Sequence, residues 1–182
     1  DWAAYGLAIG AGELATRSIY IYIPDEKLKI YGDLLRIITA QSMEYFSSRP
    51  PENKQTILFC LDEFASFGKL QIVESLRKLR KRRIRILVLT QSVSDVDMIY
   101  GKDERKAMLG NFKFTVILGC KDTETQEYFS KMIGEKRSLL ATDPYQKPQP
   151  IIKPADLAHL EQDLFVICDD GAIQKKKNFY FK

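Results

Sequence analysis

The apolar run Ile57-Leu58-Phe59-Cys60-Leu61 ends in two adjacent carboxylates, Asp62 and Glu63, and that junction is the place where this sequence could do chemistry. Five consecutive residues without a polar side chain predict a strand buried on both faces, as strands of parallel sheets are. Burying an unpaired carboxylate is costly, so Asp62 and Glu63 should sit where the strand meets solvent. In open α/β sheets that carboxyl edge is where ligands bind. Paired there, an aspartate and a glutamate are what a nucleotide hydrolase uses to hold Mg2+ and direct a water, the Walker B arrangement. Acidic residues also end strands simply by capping turns and helices, so the neighbouring elements must decide.

Gln91 follows the run Ile84 to Thr90, and Lys121 follows the run Phe114 to Gly119. If these strands are parallel, their ends share one carboxyl edge with Asp62 and Glu63. The group is chemically coherent. An aspartate holds Mg2+ through its waters, because that ion dehydrates reluctantly. A glutamate orients or deprotonates the attacking water, and a neutral glutamine reports the γ-phosphate or positions that water. Alone, Gln91 would read as a polar residue closing a strand.

Arg77-Lys78-Leu79-Arg80-Lys81-Arg82-Arg83-Ile84-Arg85 concentrates cations where a helix ends and a strand begins. Three readings compete for it. It is a solvated face favoured by the helix dipole, a contact for nucleic-acid phosphates through residues such as Arg82 and Arg83, or the source of an arginine inserted into a neighbouring subunit's nucleotide site. No aromatic residues interleave, which argues against a base-stacking platform.

Periodicity supplies the elements that must position these groups. Ser18 to Ile23 is β-branched and aromatic and stops at Pro24, which predicts a strand. Helical spacing predicts helices over Tyr31 to Ser48, closed by Pro50-Pro51, and over Gly68 to Arg82. A short helix ending at Tyr100-Gly101 follows the 84–90 strand, and a weaker helix spans Lys102 to Asn111. After the 114–119 strand comes a helix from Asp122 to Ile133 with a Gly134 stop. Residues 135–150 read as a Pro-, Lys- and Gln-rich surface loop. Leu164 to Cys168 predicts a strand, with a last strand or hairpin over Ala172 to Phe181 after the turn at Asp169-Asp170-Gly171. Strands alternating with helices argue for one α/β domain with a mainly parallel sheet flanked by helices. Residues 1–17 read as a boundary segment.

Composition narrows the chemistry further. The 182 residues are 45% hydrophobic and 29% charged, as in a globular protein with a real core. No apolar stretch is long enough to cross a bilayer, no signal peptide opens the chain, and Asp1 without an initiator methionine suggests a piece of something longer. Cys60, Cys120 and Cys168 match no metal or disulfide spacing and read as buried free thiols in a reducing compartment. His159 is the only histidine, in a short amphipathic turn, and reads as structural. Zinc and Ser-His or Cys-His chemistry are therefore disfavoured.

Together these residues carry a family likeness. Leu61-Asp62-Glu63-Phe64-Ala65 with Gly68-Lys69-Leu70 resembles the Walker B segment of the conjugative coupling proteins, the TraG/TraD-like ATPases of type IV secretion systems. The continuation is similar too: Ile84 to Leu89 into Thr90-Gln91-Ser92, then Ile99-Tyr100-Gly101, then Asn111. Thr123 to Ser130 after Asp122, with Gly134, resembles the next signature, and Pro154-Ala155-Asp156-Leu157 with Leu160 and Gly171 the C-terminal one. The likeness runs from about Ser18 to the terminus.

This resemblance implies a RecA-like motor domain that assembles into a hexameric ring at the cytoplasmic face of the cell membrane, anchored by segments absent from this chain. Such motors use ATP and Mg2+ to drive DNA, with its attached relaxase, or protein substrates toward secretion-channel components. Carried over, Asp62 would hold Mg2+, Glu63 would activate water and Gln91 would sense phosphate. Arg80 falls where the family tends to place an arginine finger, with Arg77, Arg82 and Arg83 as rivals, because Lys81-Arg82-Arg83 replaces the small tract that often follows. One departure is large: no G-x-x-x-x-G-K-[ST] occurs, and Gly6 to Gly12 lacks the Lys and hydroxyl of a phosphate loop. The expected fold is thus a RecA-like domain lacking its phosphate-loop segment. Alternatives are another RecA-like DNA translocase, such as a chromosome-segregation or packaging motor, and a non-hydrolysing DNA- or partner-binding module with an ATPase-like sheet.

Overall fold

The computed structural model describes residues 18–50, 52, 55–136 and 148–178, which fall into two compact units, 1–90 and 91–182. The glycine-rich stretch Gly6 to Gly12 lies outside the described residues.

In the first unit, helix α1 (Asp25–Ser47) starts earlier than its apolar periodicity alone predicts. Pro24 presets the entry, and its carbonyl accepts the Lys27 N–H at 2.8 Å. Strand β1 (Ile57–Leu61) leads through Asp62-Glu63 into a 3-10 helix (Phe64–Phe67). Helix α2 (Ile72–Arg80) returns the chain, and β2 (Ile84–Val88) pairs with β1 in parallel, Ile57 opposite Ile84 and Leu61 opposite Val88. Leu35, Met43, Phe46, Leu61, Phe64, Leu79 and Ile84 are buried in this unit. The Phe46 and Phe59 rings meet edge-on at 6.0 Å, so α1 covers one face of the pair.

Three expectations need correction here. β1 is not buried on both faces: its residues alternate, and Leu58 is 61% exposed. The thiols are not uniformly buried: Cys60 is exposed, Cys168 half-buried and Cys120 buried, all three free. No strand forms over Ser18 to Ile23, which has β-propensity but no ladder partner among the described residues.

The second unit runs α3 (Val93–Tyr100), α4 (Lys102–Leu109), β3 (Thr115–Ile117), α5 (Thr123–Ile133), β4 (Glu135–Lys136), β5 (Gln149–Pro150), a 3-10 helix (Pro154–His159), β6 (Asp163–Cys168) and β7 (Gly171–Lys176). Ile117, Cys120, Ile133, Leu157, Leu160 and Phe165 form a core between sheet and helices. The far face of that sheet leaves Phe114, Val116, Leu118 and Ile173 exposed.

The sheet is not mainly parallel. Among the described residues only β1 and β2 pair in parallel; β3, β6 and β7 form an antiparallel sheet in that order, and β4 pairs antiparallel with β5, so the ends of the expected 135–150 loop form a short ladder. The reason lies in where the chain re-enters. The Cys120 N–H donates to the Leu157 carbonyl at 3.1 Å, so the chain passes the carboxyl end of β3 just before β6 begins. A strand starting there runs back against β3. The tight turn at Asp169-Asp170 then makes β7 antiparallel to β6, since a short hairpin cannot join parallel strands. Lys177 fastens this corner, its Nζ donating to the carbonyls of Leu118 at 2.8 Å, Leu160 at 2.5 Å and Glu161 at 3.2 Å.

Candidate functional site

Asp62 and Glu63 lie at the carboxyl end of the parallel pair, and the ladder brackets them. The Leu89 N–H donates to the Leu61 carbonyl at 3.0 Å, and the Phe64 N–H donates to the Leu89 carbonyl at 2.9 Å. Between these bonds the chain turns sharply. Glu63 takes a left-handed backbone (φ 49, ψ 53), its N–H donating to Asp62 Oδ1 at 3.0 Å and its carbonyl accepting the Ser66 N–H at 2.8 Å. For a side chain with a Cβ, that conformation costs about 1–2 kcal/mol. It persists because Phe64, fully buried, anchors the turn from behind. Gly68 (φ 68) ends the 3-10 helix in another left-handed position, where only glycine is unstrained.

Asp62 is exposed and Glu63 half-buried. Among the described residues, no group of three His, Cys, Asp or Glu side chains gathers as a metal cage. A solvent-facing carboxylate at a strand end fits Mg2+, which keeps most of its waters and takes one or two carboxylates beside substrate phosphates.

The basic segment lies at the other end of the pair. Arg80 closes α2 and is exposed, Arg82 is half-buried, and Arg83 is exposed with a left-handed backbone (φ 59). The Ile57 N–H donates to the Arg83 carbonyl at 3.2 Å, which seats Arg83 beside the first residue of β1. Five strand residues separate the two ends, about 16 Å at the usual rise. The fold therefore brings Asp62 and Glu63 together and keeps Arg80, Arg82 and Arg83 away from them within this unit.

Gln91 is exposed and opens the second unit, immediately before the α3 cap. Lys121 follows β3, a strand of the antiparallel sheet, so parallel pairing does not align it with Asp62. Ser92 caps α3, its Oγ accepting the Asp95 N–H at 3.0 Å and donating to Asp95 Oδ2 at 2.6 Å.

One buried constellation escaped the sequence reading. Arg105, 4% exposed, donates from Nε to Asp97 Oδ1 at 2.7 Å and from Nη2 to Asp97 Oδ2 at 3.2 Å, and it lies 4.3 Å from the Tyr128 ring centroid. It links α3, α4 and α5. No local spacing announces a buried arginine, because its partners come from separate helices.

Residues 56–162 match a family described as the TraM recognition site of TraD and TraG. The chain is 28% identical over 120 residues to Protein VirD4 of Agrobacterium fabrum, covering 64% of this chain and 18% of that protein. It is 29% identical over 180 residues to a probable conjugal transfer protein TraG of Sinorhizobium fredii, covering 90% of this chain and 28% of that one. The chain thus spans less than a third of these relatives. Among solved structures, the plasmid coupling protein TrwB with a non-hydrolysable GTP analogue superposes with a TM-score of 0.79 at 24% identity, over 93% of this chain and 43% of that one. TrwB in complex with ADP and Mg2+ gives 0.77 at 23% identity, with the same coverage.

Proposed function

The chain belongs to the TraG/TraD family of conjugative coupling proteins, and from that premise we propose that it is the carboxylate-bearing part of an ATP-driven motor delivering DNA or protein to a type IV secretion channel. The observation that carries the reading is the left-handed turn at Glu63, held at the carboxyl end of the only parallel pair among the described residues. Strain of this kind, imposed by a buried anchor and ladder bonds, collects at functional sites.

In this reading Asp62 holds Mg2+, and the bound ion would neutralise charge on the phosphate oxygens. Glu63 orients the attacking water and accepts its proton. Gln91 senses the γ-phosphate with a neutral amide. A phosphate loop contributed from outside these residues completes the nucleotide site. Arg80, with Arg77, Arg82 and Arg83 as rivals, acts on a neighbouring subunit's nucleotide in a hexameric ring; its distance from Asp62 within one unit supports action in trans. Arg82 and Arg83 also suit contact with DNA phosphates. The substrates are DNA with its relaxase, or proteins, and the partners include secretion-channel components at the cytoplasmic membrane face. No described helix is long and apolar enough to cross a membrane; in this reading the anchor is supplied by other segments of the full-length protein. ADP with Mg2+ on TrwB supports the nucleotide assignment.

The test is Glu63→Gln in the full-length protein. ATP turnover should collapse while nucleotide binding survives; unchanged turnover would remove Glu63 from the mechanism.

A further inference from the structure

Gln91 sits one residue before the α3 cap, and the first turn of α3 is tied to the first turn of α5 by side chains. The Val93 N–H, a donor the helix itself cannot satisfy, donates to Thr125 Oγ1 at 2.9 Å in a buried contact. Ser94 Oγ donates to Asp122 Oδ1 at 3.1 Å. The same Asp122 oxygen accepts the Thr125 N–H at 3.0 Å and so caps α5. Val93 is 4% and Thr125 2% exposed, so water cannot replace these bonds. Further along, Arg105, paired with Asp97 of α3, rests on Tyr128 of α5. The two helices are therefore joined at their first turns and again midway along.

We propose that Thr125, supported by Asp122 and Ser94, is a positioning residue for Gln91: it fixes the α3 amino terminus, and with it the backbone that carries the sensor amide. The inference rests on the reading of Gln91 as a phosphate sensor. Thr125 touches neither nucleotide nor water in this account. It acts through Val93, two residues beyond Gln91, and α5 moves with whatever moves that amide.

The variants to compare in the full-length protein are Thr125→Val, which keeps the shape and removes the hydroxyl, and Thr125→Ser, which keeps the hydroxyl. ATP turnover, the KM for ATP and the melting temperature are measured for each, alone and combined with Gln91→Ala. Thr125→Val should lower kcat at least tenfold with KM changed less than twofold, and Thr125→Ser should restore kcat to within threefold. In the Gln91→Ala background Thr125→Val should add almost nothing, because both act on one group. If Thr125→Val changes only the melting temperature, or if its effect multiplies fully with that of Gln91→Ala, the positioning role is overturned while the sensor reading stands. If Gln91→Ala itself leaves turnover unchanged, the sensor reading falls, and the positioning role with it. Should Thr125→Val fail to fold, Ser94→Ala cuts the second tie and runs through the same cycle, with a threefold or greater loss of kcat expected and the same outcomes deciding.

Discussion

Glu63 and Arg83, the two non-glycine residues with left-handed backbones among the described residues, stand at opposite ends of the β1–β2 pair. Glu63 lies two positions past Leu61, the last residue of β1, and the Arg83 carbonyl accepts the N–H of the first, Ile57. One marks the edge where a nucleotide would be cleaved, the other the edge facing away from it. In the proposed reading, that separation leaves the carboxylates and the arginines different tasks.

Arg83 occupies a post-helical position in which glycine is favoured. Arg83→Gly should therefore raise stability by about 1 kcal/mol, the left-handed cost less the added freedom of glycine in the unfolded chain. Urea denaturation measures it. If Arg82 and Arg83 touch DNA phosphates, neutralising both should weaken DNA binding and flatten its salt dependence. Loss of ATPase in the assembled ring with unchanged DNA binding would favour the intersubunit role.

The Asp97–Arg105 pair is almost fully desolvated, with side chains 11% and 5% exposed. Removing one partner strands the other charge, so Asp97→Ala should cost about 3–5 kcal/mol. Asp97→Leu with Arg105→Met should cost much less, since both charges leave together. Chemical denaturation of the two variants compares them, and equal losses would show that packing rather than charge holds α3, α4 and α5 together.

Burial pushes the Asp122 carboxyl up, but the neighbouring Thr125 hydroxyl and N–H, Ser94 hydroxyl and Glu124 N–H favour the carboxylate, outweigh burial and leave the group below the ordinary carboxylate value of 3.8. A depressed folded value means that stability is present above the unfolded value and is lost as pH falls through the folded one. The wild-type chain should exceed Asp122→Asn in stability near neutrality, and the difference should shrink once the pH drops below 3.8. Denaturation midpoints across that range test the sign; a constant gap would exclude Asp122 ionisation as the cause.

The residues 1–182 contain no phosphate-loop sequence. The chain alone should bind ATP weakly and show no turnover, with or without Mg2+. Calorimetric titration of the isolated chain checks this, and tight ATP binding would place the phosphate cradle within these residues.

Burial separates the thiols as well. Cys60 is exposed on β1, whereas Cys120 is buried, and burial, with Asp122 nearby, pushes the Cys120 thiol up. In the isolated folded chain a thiol reagent should label Cys60 readily and Cys120 only after unfolding. Peptide mapping of the labelled chain reads this, and equal labelling rates would contradict the core around Cys120.

The sequence by itself determined the local features. β1 falls on Ile57–Leu61, where the apolar run put it, with Asp62 and Glu63 just beyond. Asp122 and Gly134 bound α5 because capping and left-handed stops are chemistry of one or two residues. Tertiary structure decided which strands pair, which face is covered and which side chains meet. The antiparallel sheet follows from a chain reversal fixed by Cys120 against Leu157. Leu58 is exposed because α1 reaches only the Phe59 side of β1. The hold of Thr125 on Val93, and of Arg105 on Asp97 and Tyr128, joins helices through contacts between residues far apart in the chain. Periodicity and capping are short-range preferences of the backbone; pairing and buried hydrogen bonds depend on where distant segments arrive.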